Sequence, residues 1–506
     1  MLTCVTTFAL VGIEPRRVDV EVDVRTGLPS FTIVGLGDRS VREARERVAA
    51  AIINSGLPFP AKRITVNLAP ADLHKSGPGF DLAIACGVLV ASGAIQPQAL
   101  HDTAVHGELA LGGQVRASRG TLVVAEGARA AGLTRLLVAP DRVGEASLLP
   151  GVHGVAVADL RGLVAVLDGS GTDARSSTTA IACAEPSDGP DLADIHGHAE
   201  SLEAVTIAAA GAHNLLLTGP PGTGKTMLAR RLPSILPDLA PDEALEVTRI
   251  ASVSGLRTTD ALLQTRPFRA PHHSISVAGM TGGGAIPRPG EITLAHHGVL
   301  FLDELSEFPR GTLEALRQPL EDGRVLVVRG QQAVLYPCRT MLVGATNPCP
   351  CGFGGTARCR CTIVEHDRHA RRLSGPLLDR IDLSVRVDRP SAAELRAPAL
   401  RTSAAERDRV QSARERQAAR LRGTGVSANA HMDAALMRRH LRLDDAADRQ
   451  LTRVYERGLL SARGRHRVLR VARTIADLEA CDTVATAHLL SALSLREDAG
   501  AEERAA

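Results

Sequence analysis

The sequence predicts an α/β protein: a nucleotide-binding parallel sheet, preceded by a smaller α+β domain and followed by a helical region. Three observations carry that expectation. A glycine-rich loop, Gly219-Pro-Pro-Gly-Thr-Gly-Lys-Thr226, stands between an apolar run (214–218) and a helix start (Met227-Leu-Ala-Arg-Arg231). Short strands and helices alternate over residues 1–168. From about Pro390 the chain is rich in Arg, Ala and Leu at helical spacing, without strand signals. The segments expected are a front domain (1–168), a linker (169–190), a nucleotide-binding core (191–390), a helical lid (391–496) and a disordered tail (497–506).

Composition bounds the partners. The chain has 506 residues, 44% of them hydrophobic, enough to bury more than one core. The net charge of +3 draws no nucleic acid globally, so any such contact must be a local patch. Aromatic residues make up 2% of the chain and Trp is absent, which argues against base stacking on aromatic platforms. No segment approaches the roughly 18 apolar residues of a membrane span, and the N-terminus lacks a signal-peptide pattern; a cytoplasmic protein without membrane contact is expected.

In the front domain, Val18–Val24 alternates apolar and acidic residues, as a half-buried strand does. Residues 41–55 have helical spacing and stop before Gly56 and Pro58, and 64–68 reads as a strand. Residues 81–92 are apolar nearly all round and read as a buried helix. Lys75-Ser-Gly-Pro-Gly-Phe-Asp-Leu-Ala-Ile-Ala85 and Gly107-Glu-Leu-Ala-Leu-Gly-Gly113 resemble the ribosomal-S5-type domain of Lon proteases. That resemblance implies a serine after the Gly-Pro pair and an activating lysine further on. Here those positions fall on Gly79 and near Leu122, so the peptidase dyad is absent and a binding or assembly platform is expected.

In the core, Ile195-His-Gly197 precedes a helix expected over 201–210. The spacing G-x-x-x-x-G-K-T makes Gly219, Pro220, Pro221, Gly222, Thr223, Gly224, Lys225 and Thr226 a phosphate cradle, because its backbone N–H groups must curl around phosphate oxygens at a helix N-terminus. Lys225 would reach the β- and γ-phosphates of ATP, and the Thr226 hydroxyl would ligate Mg²⁺. Only three lysines occur in the chain, Lys62, Lys75 and Lys225, so one kept inside this loop is informative. Next, Gly298-Val-Leu-Phe-Leu-Asp-Glu304 reads as a buried parallel strand that presents acids at its carboxyl end. Asp303 would hold Mg²⁺ and Glu304 would orient and deprotonate the attacking water. A third strand (341–346) ends at Asn347, which either bonds the γ-phosphate or lytic water, or caps the turn before Pro348.

Ser374-Gly-Pro-Leu-Leu-Asp-Arg-Ile-Asp382 completes an order of motifs that resembles AAA+ ATPases of the magnesium-chelatase-like group, and within it the ComM/YifB family. Arg266–Ser274, Gly282–Gly284 and Pro289–His296 are similar to that family's internal signatures. The resemblance implies a homo-hexameric ring with ATP between subunits, Asn347 as sensor 1 and Arg380 as the arginine finger. Taken alone, Arg380 also reads as a salt-bridged surface arginine between Asp379 and Asp382. Arg463, near the start of a helix expected through Leu478, matches the lid arginine that contacts the γ-phosphate in cis, with Arg465 and Arg467 as competitors. The implied activity is ATP-driven movement on single-stranded or branched DNA, in branch migration or helicase action. Alternatives are a magnesium-chelatase subunit, a Lon-like protein remodeller without peptidase activity, and a nucleotide-gated scaffold.

Five further features call for a reading. Residues 272–290 are expected to form an irregular loop facing the ring channel, and 321–330 with 331–337 a hairpin whose Arg324 and Arg329 meet DNA phosphates or solvent. Adjacent histidines usually point different ways, so His272-His273 and His296-His297 are expected to be structural, not metal-binding. The basic run 414–422 is a solvated helix face or a DNA contact. Cys349, Cys351, Cys359 and Cys361, as C-x-C, seven residues, C-x-C, could close a tetrahedral zinc site or remain reduced thiols or a redox pair.

Overall fold

The computed structural model describes residues 1–170, 189–256, 261–284, 287–329, 332–372 and 375–496. Most of the linker and the tail expected from sequence lie outside the described residues.

Seven strands form the front sheet, in the spatial order Ser30–Val34, Arg63–Ala69, Glu14–Arg25, Leu2–Val11, Thr103–Val105, Arg135–Val138, His153–Ala156. The alternation in Glu14–Arg25 places Val18, Val20, Val22 and Val24 in the core. Helix Asp81–Ala91 has every residue buried, because it lies between the sheet and helix Arg39–Asn54. Its apolar circumference therefore marks burial on all sides. Gly79, expected from the resemblance at the nucleophile position, is buried beneath the His106 ring; an added methyl would sit 2.5 Å from its Cε1. Leu122 is buried, and Lys75 donates to the Pro70 carbonyl.

The core sheet is all parallel, in the order Phe268–Arg269, Val299–Leu302, Met341–Thr346, Leu215–Thr218, Leu383–Arg386. Side chains of each strand divide between two cores with period two. Leu215, Leu217, Val299, Phe301, Val343 and Ala345 face helices Ala199–Gly211, Lys225–Ile235, Ser403–Arg420 and Ala462–Leu478. Leu216, Leu300, Leu302 and Leu342 face the opposite cluster, which contains Ile250, Met280, Leu313 and Tyr336. Burial on both faces is why these strands read as unbroken apolar runs. The C-terminal helices thus complete the first core behind the sheet. The basic run belongs to one of them: Arg414 donates to the Ala209 carbonyl at 2.8 Å, and Arg420 pairs with Asp477. Those two arginines are tied internally, so only part of the run faces solvent.

The front domain docks on the core at two places. Glu126 on helix Thr121–Ala130 pairs with Arg249 at 2.6 Å, and Ser252 donates at 2.5 Å to Glu145 on the short helix Val143–Ala146, so two front-domain helices meet helix Pro241–Ser254. The turn after Leu2–Val11 inserts Ile13 among Val325, Val334 and Tyr336, under the hairpin Arg324–Arg329 and Gln332–Pro337. Gly12 sits at φ +64°, and a side chain there would strike Val334 and Tyr336. Gly12→Val is therefore expected to destabilise this docking by about 1–3 kcal/mol, read as an earlier unfolding transition in denaturant.

Two sequence expectations need correction. Residues 321–322 end helix Arg317–Asp322, which stops at the left-handed Gly323, so the hairpin begins at Arg324. The expected irregular loop 272–290 contains helix Val277–Thr281, capped by Ser276, and a short pairing of Gly282–Gly283 with Arg288–Pro289.

Candidate active site

The glycine-rich loop leaves strand Leu215–Thr218 and enters helix Lys225–Ile235 through Gly222 (φ +76°) and Gly224 (φ +92°). Positive φ at both turns the backbone amides toward one concavity, a conformation costly for other residues. Lys225 is held inside that curl. Its Nζ donates to the carbonyls of Gly219 (2.7 Å) and Pro220 (2.8 Å) and to Asn347 Oδ1 (3.2 Å). Burial pulls the ammonium below its ordinary pKa, with the Asp303 charge working the other way. An arriving phosphate would hold it charged.

The parallel pairing of Leu215–Thr218 with Met341–Thr346, and of that strand with Val299–Leu302, brings three sequence-distant motifs to one sheet edge. Thr226 Oγ1 donates to Asp303 Oδ2 at 2.8 Å, the pair that would hold a magnesium ion. Asp303 Oδ1 accepts from the Glu304 amide at 3.0 Å. Glu304 itself is left-handed (φ +51°, ψ +50°), a strained conformation that turns its side chain off the strand direction into solvent. His273 Nδ1 lies 3.5 Å from Glu304 Oε2, a contact that sequence reasoning missed. Asn347 ends a fully buried strand; its carbonyl accepts from His369 Nε2 at 2.9 Å, which leaves its side chain to face Lys225.

Arg380 and Arg463 stand elsewhere. Both line a cavity of about 460 Å³ shared with Arg467 and Arg470, and none of its lining residues comes from the phosphate loop. Arg380 forms an ion pair with Glu321 at the foot of the hairpin. Within the chain, then, the geometry does not bring Arg463 to the phosphate loop.

The histidines at 296 and 297 converge instead of diverging as expected. Their Nε2 atoms lie 2.8 and 2.9 Å from Glu246 Oε2, with ring centroids 3.9 Å apart. The Arg339 amide donates to His296 Nδ1 at 3.0 Å, so the hydrogen-bond network places the His296 proton on Nε2. Both nitrogens of that ring are thereby engaged within the chain, by Glu246 and by the Arg339 backbone.

The cysteine loop follows Asn347 directly. Cys349, Cys351, Cys359 and Cys361 bring their sulfurs within 4.8 Å of one another.

The match of known families follows this architecture. Residues 20–142 match subunit ChlI of Mg-chelatase, residues 191–395 magnesium chelatase subunit ChlI, and residues 401–496 the ChlI C-terminal region. The chain is 43% identical to YifB of Escherichia coli K12 over 98% of its own length and 97% of that protein. It is 41% identical to the competence protein ComM of Haemophilus influenzae over the same shares. The chain belongs to the ComM/YifB family of magnesium-chelatase-like AAA+ ATPases. Lon protease 2 of Bacillus subtilis is 31% identical over 34% of this chain and 35% of its own length. Family membership implies ATP and Mg²⁺ as ligands. Among the described residues, no helix is long and apolar enough to cross a membrane.

Proposed function

We propose that this ATPase is a ring-forming, hexameric motor of the cytoplasm that moves along single-stranded or branched DNA during recombination of incoming DNA. The relative named as a competence protein supports the setting. One structural observation carries the mechanical reading. The hairpin Arg324–Pro337 is joined through helix Arg317–Asp322 to Glu321, and Glu321 grips Arg380. A residue poised for a neighbour's nucleotide is thereby tied to the element best suited to touch DNA.

In this reading each subunit supplies half a site. Lys225 and the loop amides hold the phosphates, Thr226 and Asp303 the magnesium, and Glu304 and Asn347 position the lytic water. Arg380, with Arg463 from the same cavity, acts on the adjacent subunit's ATP. On the hairpin, one face is buried through Val325, Val327, Val334 and Tyr336. The other exposes Leu326, Val328 and Leu335 beside Arg324, which suits apolar contact with unstacked bases flanked by a phosphate contact. The Arg329 side chain lies outside the described residues.

ATP hydrolysis measured with and without single-stranded and forked DNA tests this reading. Stimulation at roughly 50 mM salt that fades steeply by 200 mM is expected, because released counterions drive phosphate binding. Unchanged hydrolysis, with no DNA bound at the lower salt, would remove DNA as the substrate.

A further inference from the structure

The loop between Asn347 and helix Ile363–Arg372 does no chemistry in the site above, yet it gathers four thiols. Their spacing is specific. Cys349 Sγ lies 3.3 Å from Cys351 Sγ and 3.8 Å from Cys359 Sγ, and Cys351 and Cys359 are 3.7 Å apart. A disulfide needs about 2.05 Å between sulfurs, so none of these contacts is one. Four sulfurs around a zinc ion at about 2.3 Å would stand about 3.8 Å apart along each tetrahedral edge. The observed spacings are close to that edge length.

Backbone hydrogen bonds reach Cys351 from Phe353 and Arg360, and Cys361 from Cys351. His366, on the first turns of the following helix, places Nε2 3.2 Å from Cys359 Sγ, where an N–H would orient that ligand from outside. The Gly-rich backbone permits the tight return: Gly352 and Gly355 have φ +83° and +75°. Gly352 also presses on the phosphate loop, since a methyl there would sit 2.6 Å from Pro221 Cδ.

We propose that Cys349, Cys351, Cys359 and Cys361 hold one structural Zn²⁺, with His366 as an outer hydrogen-bond donor to Cys359, and that this site braces the phosphate loop through Gly352 and Pro221. The ion closes a loop too short and glycine-rich to hold its own shape. It carries no open position and takes no part in hydrolysis. The bracing role rests on reading Gly219–Thr226 as the nucleotide loop; the ligand set does not.

Metal content of the full-length protein, purified without chelators and measured by elemental mass spectrometry, tests the ligand set without nucleotide or DNA. About one zinc per chain is expected, with four thiols protected from a thiol reagent until the metal is removed. The double variant Cys359→Ser, Cys361→Ser is expected to lose the zinc, and His366→Ala to keep it but release it to a chelator at about tenfold lower concentration. Zinc well below one per chain in the parent protein, iron in its place, or a disulfide among these cysteines would overturn the site, whether or not the double variant folds. Stripping the zinc should raise KM for ATP more than it lowers kcat, with recovery on adding Zn²⁺ but not Mg²⁺. An unchanged KM in metal-free protein would overturn the brace while leaving the nucleotide site intact.

Discussion

Replacing Glu304 by glutamine is expected to slow ATP turnover by about 10²–10⁴-fold while leaving ATP affinity close to that of the parent. The carboxylate makes no contact with Lys225 or Thr226 that would make it a binding group. It stands 60% exposed at a left-handed residue beyond the end of its strand, where a water approaching the γ-phosphate would pass. Glutamine keeps the size and the hydrogen-bonding capacity but cannot take a proton. Equilibrium binding of a fluorescent ATP analogue, set beside steady-state hydrolysis, separates the two effects. Near-parental hydrolysis by Glu304→Gln would place the base elsewhere.

Arg380→Ala is expected to lower turnover by about 10³-fold or more, the range found for arginine fingers, with nucleotide binding by each subunit retained. The reason is positional. Arg380 follows a short turn whose backbone is tied to the sheet: Asn214 Nδ2 donates to the Arg380 carbonyl at 2.8 Å. Its guanidinium meets Glu321 and shares its cavity with the lid arginines, away from the phosphate loop of its own chain. Arg380→Lys should rescue little, because a compact ammonium lacks the planar fork that spans two phosphate oxygens. Full activity in Arg380→Ala rings would return Arg380 to a surface salt bridge with Glu321.

The motifs that are contiguous in sequence were the legible ones. Gly219–Thr226 and the strand ending in Asp303 and Glu304 announce themselves because each needs a fixed local geometry. What sequence could not show are pairings created by strand order. Lys225 meets Asn347 across 122 residues, and Arg380 meets Glu321 across 59. His273 reaches Glu304 because the strand Phe268–Arg269 lies beside Val299–Leu302. The convergence of His296 and His297 depends on Glu246, from a helix whose role no local pattern reveals. The helix inside 272–290 carried a readable signal in Ser276, a cap residue hidden among glycines and prolines. For the front domain, sequence offered only the resemblance and its expected dyad positions, Gly79 and Leu122, whereas the docking under the hairpin through Gly12 and Ile13 required the fold.

The central claim is that one chain holds half of a catalytic site and its ring neighbour the other half. Mixed rings of Glu304→Gln and Arg380→Ala subunits test it most directly, with DNA-dependent ATP hydrolysis as the readout. Each variant alone is expected to be nearly inactive. Mixed, an Arg380→Ala subunit keeps Glu304 and receives Arg380 from a Glu304→Gln neighbour, so intact sites reappear and hydrolysis recovers to a sizeable fraction of the parent rate. Mixed rings that assemble, bind ATP and DNA, and still show only the sum of the two residual rates would contradict the shared site.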